Sequence, residues 1–409
     1  MYDVIVIGGG ASGMMAAGRA AALGKKVLLL EKNKHLGEKL KISGGGRCNI
    51  TNAELDQRAF LPAYGTAEPF LYSTFSQFGV ADTFSFFESQ KLPLVVEARK
   101  RAFPHTQNAS DVLAALEAYM KQGGVTVSRG AAVTRVEATE GHIEAVYCGA
   151  KVFSAQAYVC ATGSLSHPET GSTGDGFHWL AKLGHTIHKP TPTIVPLSVH
   201  DAWSKLLSGT SLSFMKITFY VDGEKQFSKT GKLLFTHFGL SGPLILNSAK
   251  KVADLLHRGV VTATIDAYPH TDLGSLEKNI ISVFDANKNK VLKNVVKECV
   301  PLGTHRGVLL LLGEELAAKK IHLVTKEERK KIVRLLKALP LTIDGLMGFD
   351  RAVVADGGVP LEEVDMKTMR SRKIDNLFIT GDLLHINRPS GGYSLQLCWT
   401  TGFVAGSHA

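Results

Sequence analysis

Cysteine is scarce in this chain and is not arranged for crosslinking or metal binding. The 409 residues include five cysteines, at positions 48, 148, 160, 299 and 398. None of them forms a Cys-x-x-Cys pair, so the sequence predicts neither a disulfide framework nor a thiolate zinc site. We find no His, Asp or Glu group with metal-ligand spacing and expect no bound metal. This cysteine usage fits a reducing cytoplasm.

Long apolar runs and a targeting segment are also missing. No apolar stretch reaches the ~18 residues that a membrane span needs, which excludes an integral membrane protein. Asp3 stands where the positively charged region of a secretory signal would begin. Apolar residues make up 44% and charged residues 21% of the chain, which argues against global disorder. At ~150 residues per domain, the length predicts two or three domains.

Acidic residues are outnumbered by basic ones, 37 against 47, which gives a net charge of +10. Part of this excess is local, in the Lys- and Arg-rich segment 319–337. We interpret the segment as a solvated helix face, and a nucleic-acid or acidic-partner surface is the alternative. No aromatic side chain is interleaved there for base stacking, which argues against nucleic acid as the partner.

Glycine, in contrast, is abundant and clustered. Residues 2–7 predict a buried parallel strand, Gly8-x-Gly10-x-x-Gly13 follows, and an Ala-rich helix then leads to a second strand over 26–30. Gly8 allows the tight turn, Gly10 lets the backbone approach a pyrophosphate, and Gly13 lets the helix pack close to the strand. The helix N-terminus offers N–H groups to phosphates. The motif in this context predicts a dinucleotide-binding fold.

Glu31 ends the second predicted strand, where its carboxylate can accept hydrogen bonds from both ribose hydroxyls of a bound adenosine. The same carboxylate would repel a 2′-phosphate, so we expect an unphosphorylated adenosine. The glycine motif and Glu31 do not separate NAD from FAD.

Three further motifs favour FAD. The loop Lys41-Ile-Ser-Gly-Gly-Gly-Arg-Cys-Asn-Ile-Thr-Asn52 can present amides and the Arg47 cation to a pyrophosphate or flavin edge. The strand-like Val159-Cys-Ala-Thr-Gly163 can pass close to a dinucleotide. In the third motif, Asp382 follows a strand and can accept from a ribityl hydroxyl, and Gly391-Gly392 precede the last helix and can direct amides at a flavin carbonyl.

The remaining pattern predicts a split α/β domain with a large insertion. A helix is predicted over 110–122 with Ser110 as N-cap, a β-hairpin at Asp222-Gly223, and a last helix over 394–406. The predicted domains are a discontinuous FAD-binding domain over 1–192 and 345–409, a β-rich insertion over 193–270, and a mainly helical subdomain over 271–344.

The order of these motifs resembles the two-dinucleotide-binding-domain FAD oxidoreductases. More narrowly, the chain resembles the bacterial flavoproteins labelled BaiN-like, YhiN-like or aminoacetone-oxidase-like. Ser43-Gly-Gly-Gly-Arg-Cys-Asn-x-Thr-Asn52, Thr170-Gly-Ser-Thr-Gly-Asp-Gly176, Leu234-Phe-Thr-His-x-Gly-x-Ser-Gly-Pro243 and the C-terminal Gly-Gly-Tyr carry the resemblance. It implies a split Rossmann-like FAD domain with an inserted β-barrel and helical region, and noncovalent FAD.

The motifs and the resemblance together give a set of candidate FAD contacts. Val133 is included because it fits the position whose backbone meets adenine in related flavoproteins. The set is Gly8, Gly10, Ala11, Ser12, Gly13, Glu31, Lys32, Lys39, Gly45, Gly46, Arg47, Cys48, Asn49, Val133, Ala161, Thr162, Gly163, Gly381, Asp382, Gly391, Gly392, Tyr393 and Ser394.

The chain departs from the family pattern between Asp382 and the Gly-Gly-Tyr. Two positions that are usually acidic are His385 and Asn387 here, and Arg388 replaces a glycine. Either the substrate preference has shifted, or this loop does not face the substrate. In the first case we expect an electropositive pocket beside the flavin, in which Arg388 holds a carbonyl or carboxylate group of the substrate; the alternative is that Arg388 points to solvent.

The candidate catalytic residues are His237, His385, Arg388 and Tyr393. His237 could act as an acid or base, or be a structural histidine. Tyr393 could orient a substrate carbonyl, or pack under the flavin. Cys48 has no resolving partner, so packing is its main interpretation.

The favoured function is an FAD-dependent oxidoreductase that transfers hydride between flavin N5 and a small-molecule substrate. NAD(P)H is expected only as a transient reductant, because a second nucleotide-binding motif is missing. An RNA-modifying flavoenzyme that uses the basic segment 319–337, and a non-catalytic flavin-binding redox sensor, are the alternatives.

Overall fold

The computed structural model describes residues 1–409, and the chain divides into two compact units. The first unit contains Met1–Pro192 and Val353–Ala409, and the second contains Thr193–Ala352. Residues 345–352, which we assigned to the FAD-binding domain from the sequence, thus belong to the second unit. The β-rich and helical parts of the insertion share one hydrophobic core rather than forming two subdomains.

A seven-stranded sheet forms the centre of the first unit. In spatial order its strands are Val364–Asp365, Arg370–Ser371, Leu377–Ile379, Ala155–Cys160, Tyr2–Ile7, Val27–Glu31 and Thr126–Arg129. The strands from Leu377–Ile379 to Thr126–Arg129 are parallel to one another. Val4, Ile5 and Val6 are fully buried, as expected for a strand covered on both faces. The predicted α/β fold with a parallel sheet is confirmed.

Helices and small sheets surround this sheet. The helices of the first unit are Ala11–Ala22, Glu38–Ile42, Gln57–Phe60, Glu68–Phe75, Val80–Ser89, Ala109–Gln122, Asp175–Lys182 and Tyr393–His408. One three-stranded antiparallel sheet contains Thr51–Asn52, Arg101–Pro104 and Leu94–Glu97, and a second contains Arg135–Thr139, His142–Cys148 and Lys151–Phe153. A two-stranded sheet pairs His188–Ile194 with Val354–Gly358.

One predicted helix cap is wrong. The side chain of Asn108, not Ser110, caps the helix Ala109–Gln122, because Asn108 has extended backbone angles and its Oδ1 accepts from the Ser110 N–H at 3.0 Å.

The second unit is a closed six-stranded barrel with helices packed against it. Around the barrel the strands are Leu197–Val199, Gly239–Ser241, Glu224–Thr236, Ser211–Val221, Val261–Asp266 and Leu339–Leu346. Its helices are Ala202–Lys205, Pro243–Leu246, Ala249–Leu256, Leu273–Ala286, Leu292–Val295, His305–Leu312, Glu314–Ala317 and Lys326–Lys337. The hairpin at Asp222-Gly223 pairs Val221 with Glu224, and the predicted inserted barrel is confirmed.

The C-terminal helix Tyr393–His408 packs directly on the first helix, Ala11–Ala22. A Cβ added to Gly402 would lie 2.4 Å from the Ser12 carbonyl oxygen, and one added to Gly406 would lie 2.3 Å from that of Ala16. The two helices can be this close only where side chains are absent. None of the helices in the structure is both long and apolar enough to span a membrane.

We expect Gly402→Ala to lower the free energy of unfolding by about 1–3 kcal/mol, the usual cost of overpacking. The added methyl must push the two helices apart. Gly345→Ala is the matched control, because a Cβ at Gly345 meets nothing within 4 Å. Urea unfolding of both variants measures the difference, and equal destabilisation would contradict the close-packing explanation.

A buried histidine links distant segments of the first unit. His185 Nδ1 lies 2.7 Å from Glu363 Oε2, and its Nε2 lies 2.8 Å from Ser371 Oγ. Burial lowers the pKa of His185, although Glu363 opposes the shift. Burial alone would raise the pKa of Glu363, but hydrogen bonds from Lys373, Thr186 and His185 lower it to about 2.

These shifts predict acid sensitivity. The lowered His185 pKa contributes stability that is present above the ordinary value of 6.5 and is lost as pH falls through the folded-state pKa. The stability contributed by the lowered Glu363 pKa is fully present above pH 4.5 and is lost as pH falls from 4.5 towards about 2. We expect His185→Gln to be less stable at pH 7.5 but to lose less stability than the parent on going to pH ~5. Urea unfolding at several pH values measures how the free energy of unfolding changes with pH. The control His105→Gln, at an exposed position, should show the same pH dependence as the parent, and the same dependence in His185→Gln would refute the role of His185.

Candidate active site at the carboxyl edge of the parallel sheet

The sequence motifs meet at one edge of the parallel sheet. Each follows the carboxyl end of a strand: Gly8 after Tyr2–Ile7, Gly163 after Ala155–Cys160, and Asp382 after Leu377–Ile379, while Glu31 ends its own strand. The strand Tyr2–Ile7 pairs with Val27–Glu31 on one side and with the later strand Ala155–Cys160 on the other. Such a change in strand order is where open α/β sheets bind ligands.

The glycine-rich turn has the shape that a phosphate needs. Gly8 has φ +108°, and a Cβ there would lie 2.6 Å from the Ala161 carbonyl oxygen. A Cβ on Gly13 would lie 1.9 Å from the Gly8 carbonyl oxygen, whereas a Cβ on Gly10 would meet nothing within 4 Å. Gly8 and Gly13 are therefore required by packing, and Gly10 leaves open space at the helix N-terminus where an anion can approach.

Glu31 supports the same turn. Its Oε2 accepts from the Gly9 N–H and its Oε1 from the Asn33 N–H, both at 2.7 Å, and the residue is buried. Each carboxylate oxygen has a second lone pair, so the group retains acceptor capacity for ribose hydroxyls. Val133 is also buried, and the nearby Ala131 N–H donates to the Glu31 carbonyl oxygen.

The loop after Glu31 is tied to the segment after Gly163. Lys32 Nζ donates to Thr173 Oγ1 at 2.5 Å and pairs with Asp175 at 2.8 Å. Lys39 Nζ donates to Ser166 Oγ at 3.1 Å. Burial raises the pKa of Asp175, but hydrogen bonds from Lys32 and Thr173 lower it, and the net shift is downward. These contacts bring Lys32 and Lys39 to the strand edge.

Asp382 lies between two cations. Its Oδ2 is 3.0 Å from Lys39 Nζ, and its Oδ1 accepts from Arg388 Nη2. Burial raises its pKa, but the charges of Lys39 and Arg388 lower it, and the net shift is downward. Asp382 is therefore ionised at neutral pH and can accept hydrogen bonds. Gly381, with φ +62°, leaves room for Ser12 of the first helix, whose Oγ would lie 2.8 Å from an added Cβ.

Arg388 does not fit the substrate-binding role that the sequence suggested. Its side chain is 1% exposed. Besides Asp382, it donates to the Ile386 carbonyl oxygen at 2.6 Å and to Ser394 Oγ at 3.1 Å. Because all three guanidinium nitrogens are engaged, we withdraw the assignment of Arg388 as a carboxylate holder.

His385 contacts a different set of side chains from Arg388. Its Nε2 is 3.5 Å from Asp356 Oδ1, and its ring centroid is 4.4 Å from that of His188. The side chain is 38% exposed, so solvent or a ligand can reach it.

The loop of residues 41–52 offers a ligand less positive charge than we predicted, because its Arg47 is paired within the protein. Arg47 Nη1 contacts Glu97 Oε1 and Gln107 Oε1, both at 2.8 Å, and its guanidinium lies over the Phe103 ring. Arg47 is thus partly neutralised by Glu97. Burial raises the pKa of the Cys48 thiol to about 12, which makes it a neutral packing group.

The same loop contacts the C-terminal motif. With its amide turned so that both ends are satisfied, Asn49 accepts from the Gly392 N–H at 3.0 Å. A Cβ on Gly392 would lie 2.2 Å from Thr51, so the glycine is required by this contact. Gly45 and Gly46 have positive φ and face open space. The structure therefore brings the loop of residues 41–52 and the Gly391-Gly392 motif together.

Tyr393 begins the C-terminal helix and belongs to an aromatic cluster. Its ring centroid is 4.8 Å from that of Phe60 and 5.9 Å from that of Tyr64, whose hydroxyl donates to the Tyr393 carbonyl oxygen. Burial, and then Glu54, raises the Tyr393 pKa, so its hydroxyl stays protonated.

His237 lies in the second unit, in an exposed turn after the strand Glu224–Thr236. Its ring contacts that of Phe238 at 4.9 Å. Its catalytic role remains a prediction.

Two buried hydroxyls that follow the strand Ala155–Cys160 lack an oxygen or nitrogen partner within the protein. Ser164 Oγ makes no hydrogen bond, and Thr162 Oγ1 has only the weakly bonding Cys160 thiol beside it. Unpaired buried hydroxyls are uncommon and call for a ligand or water. Together with the open space at Gly10, they fit a polar group bound along this edge.

Several residues at the edge escaped the sequence prediction. Ser166 anchors Lys39, and Thr401 Oγ1 accepts from the Gly381 N–H at 3.0 Å. Asn33 Nδ2 donates to the Thr170 carbonyl oxygen. The Ser164-Leu-Ser166 sequence after a strand end was the only available signal. No group of His, Cys, Asp or Glu side chains in the structure is placed to hold a metal ion.

The fold and this edge define a dinucleotide-binding flavoprotein. The chain belongs to the family described as HI0933-like protein Rossmann domain, which it matches over residues 2–408.

Curated relatives match over almost their whole length. The chain is 28% identical to a 3-dehydro-bile acid delta(4,6)-reductase of Clostridium scindens, covering 100% of this chain and 99% of the relative. It is 26% identical to a ribosomal RNA dihydrouridine synthase of Haemophilus influenzae, with 98% and 96% covered. With this family and fold, the chain is an FAD-dependent oxidoreductase, and the resemblance to the BaiN-like group is confirmed.

Solved structures share the fold. A 3-ketosteroid-delta4-(5alpha)-dehydrogenase of Rhodococcus jostii is 15% identical with a TM-score of 0.55, over 100% of this chain and 96% of that one. A 3-ketosteroid delta1-dehydrogenase of Sterolibacterium denitrificans is 14% identical with the same TM-score of 0.55, over 100% and 99%.

We expect Glu31→Ala to weaken FAD binding by about 1–3 kcal/mol, because charge-assisted hydrogen bonds have that size. Glu31→Gln should lie between the parent and Glu31→Ala, since it keeps one acceptor oxygen. Titration of the apoprotein with FAD measures the effect, with the exposed Glu144→Ala as control.

Glu31 also holds the glycine turn, so the unfolding free energy of each apoprotein must be measured alongside. An unchanged dissociation constant in Glu31→Ala would leave Glu31 with the structural role only.

Proposed function

We propose that this chain is an FAD-dependent reductase that saturates a carbon–carbon double bond conjugated to a carbonyl group in a small molecule. The single observation that supports the cofactor assignment is the meeting of the four motifs at one strand edge, with open space at Gly10 and ionised Asp382. Noncovalent attachment is part of the proposal.

The reaction class is suggested by the relatives. One is named for reducing the delta(4,6) unsaturation of a 3-dehydro-bile acid, and two others, from Haemophilus influenzae and Escherichia coli, for making dihydrouridine in ribosomal RNA. Both names describe saturation of a carbon–carbon bond next to a carbonyl, although the substrates differ greatly in size. We carry over to this chain only that shared chemistry.

The chain's residues would hold the cofactor along the edge. The Gly8–Gly13 turn receives the pyrophosphate, Glu31 the adenosine ribose, and Asp382 a ribityl hydroxyl. When bound, the flavin supplies hydride chemistry at N5. NAD(P)H is proposed only as a transient reductant, because the chain contains one Gly-x-Gly-x-x-Gly motif.

Saturating the double bond also requires a proton. Tyr393 has a raised pKa, and His385 is partly exposed beside Asp356, so each can hold a proton for delivery. His237 is the third candidate, from the second unit. We propose these three as alternatives for the proton donor.

A second candidate function is reduction of uridine in RNA, which the named dihydrouridine synthases suggest. In the segment 319–337, Lys319, Arg329, Lys330 and Lys337 form ion pairs with carboxylates. Lys326, Lys331 and Arg334 are exposed on the helix Lys326–Lys337 and are available to phosphates. Because four of its basic side chains are paired with carboxylates, this surface supports RNA binding less strongly than its total charge suggests.

We expect the purified protein to be yellow and to release FAD, not FMN, on denaturation. Glu31 needs an adenosine ribose, and FMN has none. Chromatography of the released cofactor decides between them. Release of FMN, or failure to bind flavin after reconstitution, would refute the proposed cofactor, and a yellow band after denaturing electrophoresis would refute noncovalent attachment.

Substrate class is tested with the reduced enzyme. We expect anaerobically reduced protein to be reoxidised faster by small α,β-unsaturated ketones than by their saturated analogues, as followed by recovery of flavin absorbance. Dihydrouridine formation in ribosomal RNA at ~150 mM salt, without enone turnover, would favour the second candidate. No turnover with either class would favour a flavin-binding redox sensor.

A further inference from the structure

The partly buried ion cluster at Asp382 contains more positive than negative charge. Lys39 and Arg388 flank the single carboxylate of Asp382, and the three side chains are 29%, 1% and 12% exposed, respectively. If Asp382 alone balances the two cations, the cluster keeps a net charge of +1.

The other groups around the cluster do not neutralise it. Lys39 also donates to the neutral Ser166, and Arg388 to Ser394 and to the Ile386 carbonyl oxygen. Burial raises the pKa of the Cys398 thiol to about 12 and that of the Tyr64 hydroxyl well above its usual value, so both remain uncharged.

The cluster lies on the proposed cofactor edge. Asp382 follows a strand of the parallel sheet, and Gly381 next to it contacts Ser12 of the first helix. On the other side, Lys39 Nζ would lie 3.8 Å from a Cβ on Gly163. An uncompensated charge at this place interacts strongly with a bound ligand, because the surrounding protein screens it less than water does.

We propose that the Lys39–Asp382–Arg388 cluster sets the reduction potential of the bound flavin through its net positive charge, with Arg388 as a positioning residue rather than a substrate ligand. The inference rests on the proposed binding of FAD at this edge. Reduction places negative charge on a flavin, and a nearby positive charge stabilises that charge. Arg388 supplies the excess cation and also holds the Asp382 carboxylate against the C-terminal helix through Ser394.

The experiment varies the net charge of the cluster in the FAD-loaded protein. Arg388→Met and Lys39→Met each reduce it to zero, Asp382→Asn raises it to +2, and Arg388→Met with Asp382→Asn restores +1. The midpoint potential of each variant is measured anaerobically against a reference dye during reduction by dithionite. Exposed Lys121→Met removes a charge at the surface and serves as the matched control.

We expect the potential to follow the charge and not the identity of the residue. Each positive charge removed should disfavour reduction about tenfold, which is about 30 mV for a two-electron couple. Arg388→Met and Lys39→Met should therefore shift together to lower potential, Asp382→Asn should shift to higher potential, and the double variant and Lys121→Met should stay near the parent.

A shift in midpoint potential that corresponds to less than about a threefold change in the equilibrium constant for flavin reduction would overturn the inference. Shifts that do not follow the net charge of the cluster would overturn it as well. Arg388→Lys provides a further check, because it keeps the charge and should keep the potential even where it lowers the unfolding midpoint. If Arg388→Met does not fold, Lys39→Met tests the same charge. Failure of the parent protein to bind FAD would instead refute the proposed function.

Discussion

The first helix can lie close to both the sheet and the C-terminal helix only because side chains are absent at four contact points. Gly8 brings the turn against Ala161, Gly13 brings the helix N-terminus against the Gly8 carbonyl, and Gly402 and Gly406 bring the other side of the helix against the C-terminal helix. A methyl group added at such a backbone-to-backbone contact forces the backbones apart and costs stability. The position of the helix N-terminus, and with it that of the Gly8–Gly13 turn, is therefore fixed by contacts from both the N-terminal and the C-terminal parts of the chain.

This arrangement explains which parts of the molecule were predictable. The strand, glycine turn, helix and Glu31 are consecutive in sequence, so their geometry follows from local rules. The hairpin at Asp222-Gly223 carries a local turn signal, whereas the inserted barrel was expected only from the family resemblance. Its last strand, Leu339–Leu346, comes after a long helical region, and only the tertiary structure shows that it completes the barrel.

The sequence identifies the charged residues of the motifs but does not show which side chains they pair with. Arg47 lies on the expected loop, but it forms an ion pair with Glu97, fifty positions away, which offsets part of its positive charge. Arg388 contacts Asp382, and its burial and three protein partners argue against the substrate contact that we expected. A single sequence reveals which groups are charged and does not reveal which distant groups neutralise them.

The charge cluster and the reaction class are physically connected. Adding hydride to a double bond conjugated to a carbonyl places negative charge on the substrate, so the reaction depends on how readily the reduced cofactor gives up its electrons. A cluster that stabilises the reduced flavin makes the enzyme easier to reduce by its electron donor and, for the same reason, a weaker donor to the substrate. The substitution of Arg at 388 would therefore shift the balance between the two half-reactions. On this proposal, a residue that does not contact the substrate can still determine how electron-poor the substrate has to be.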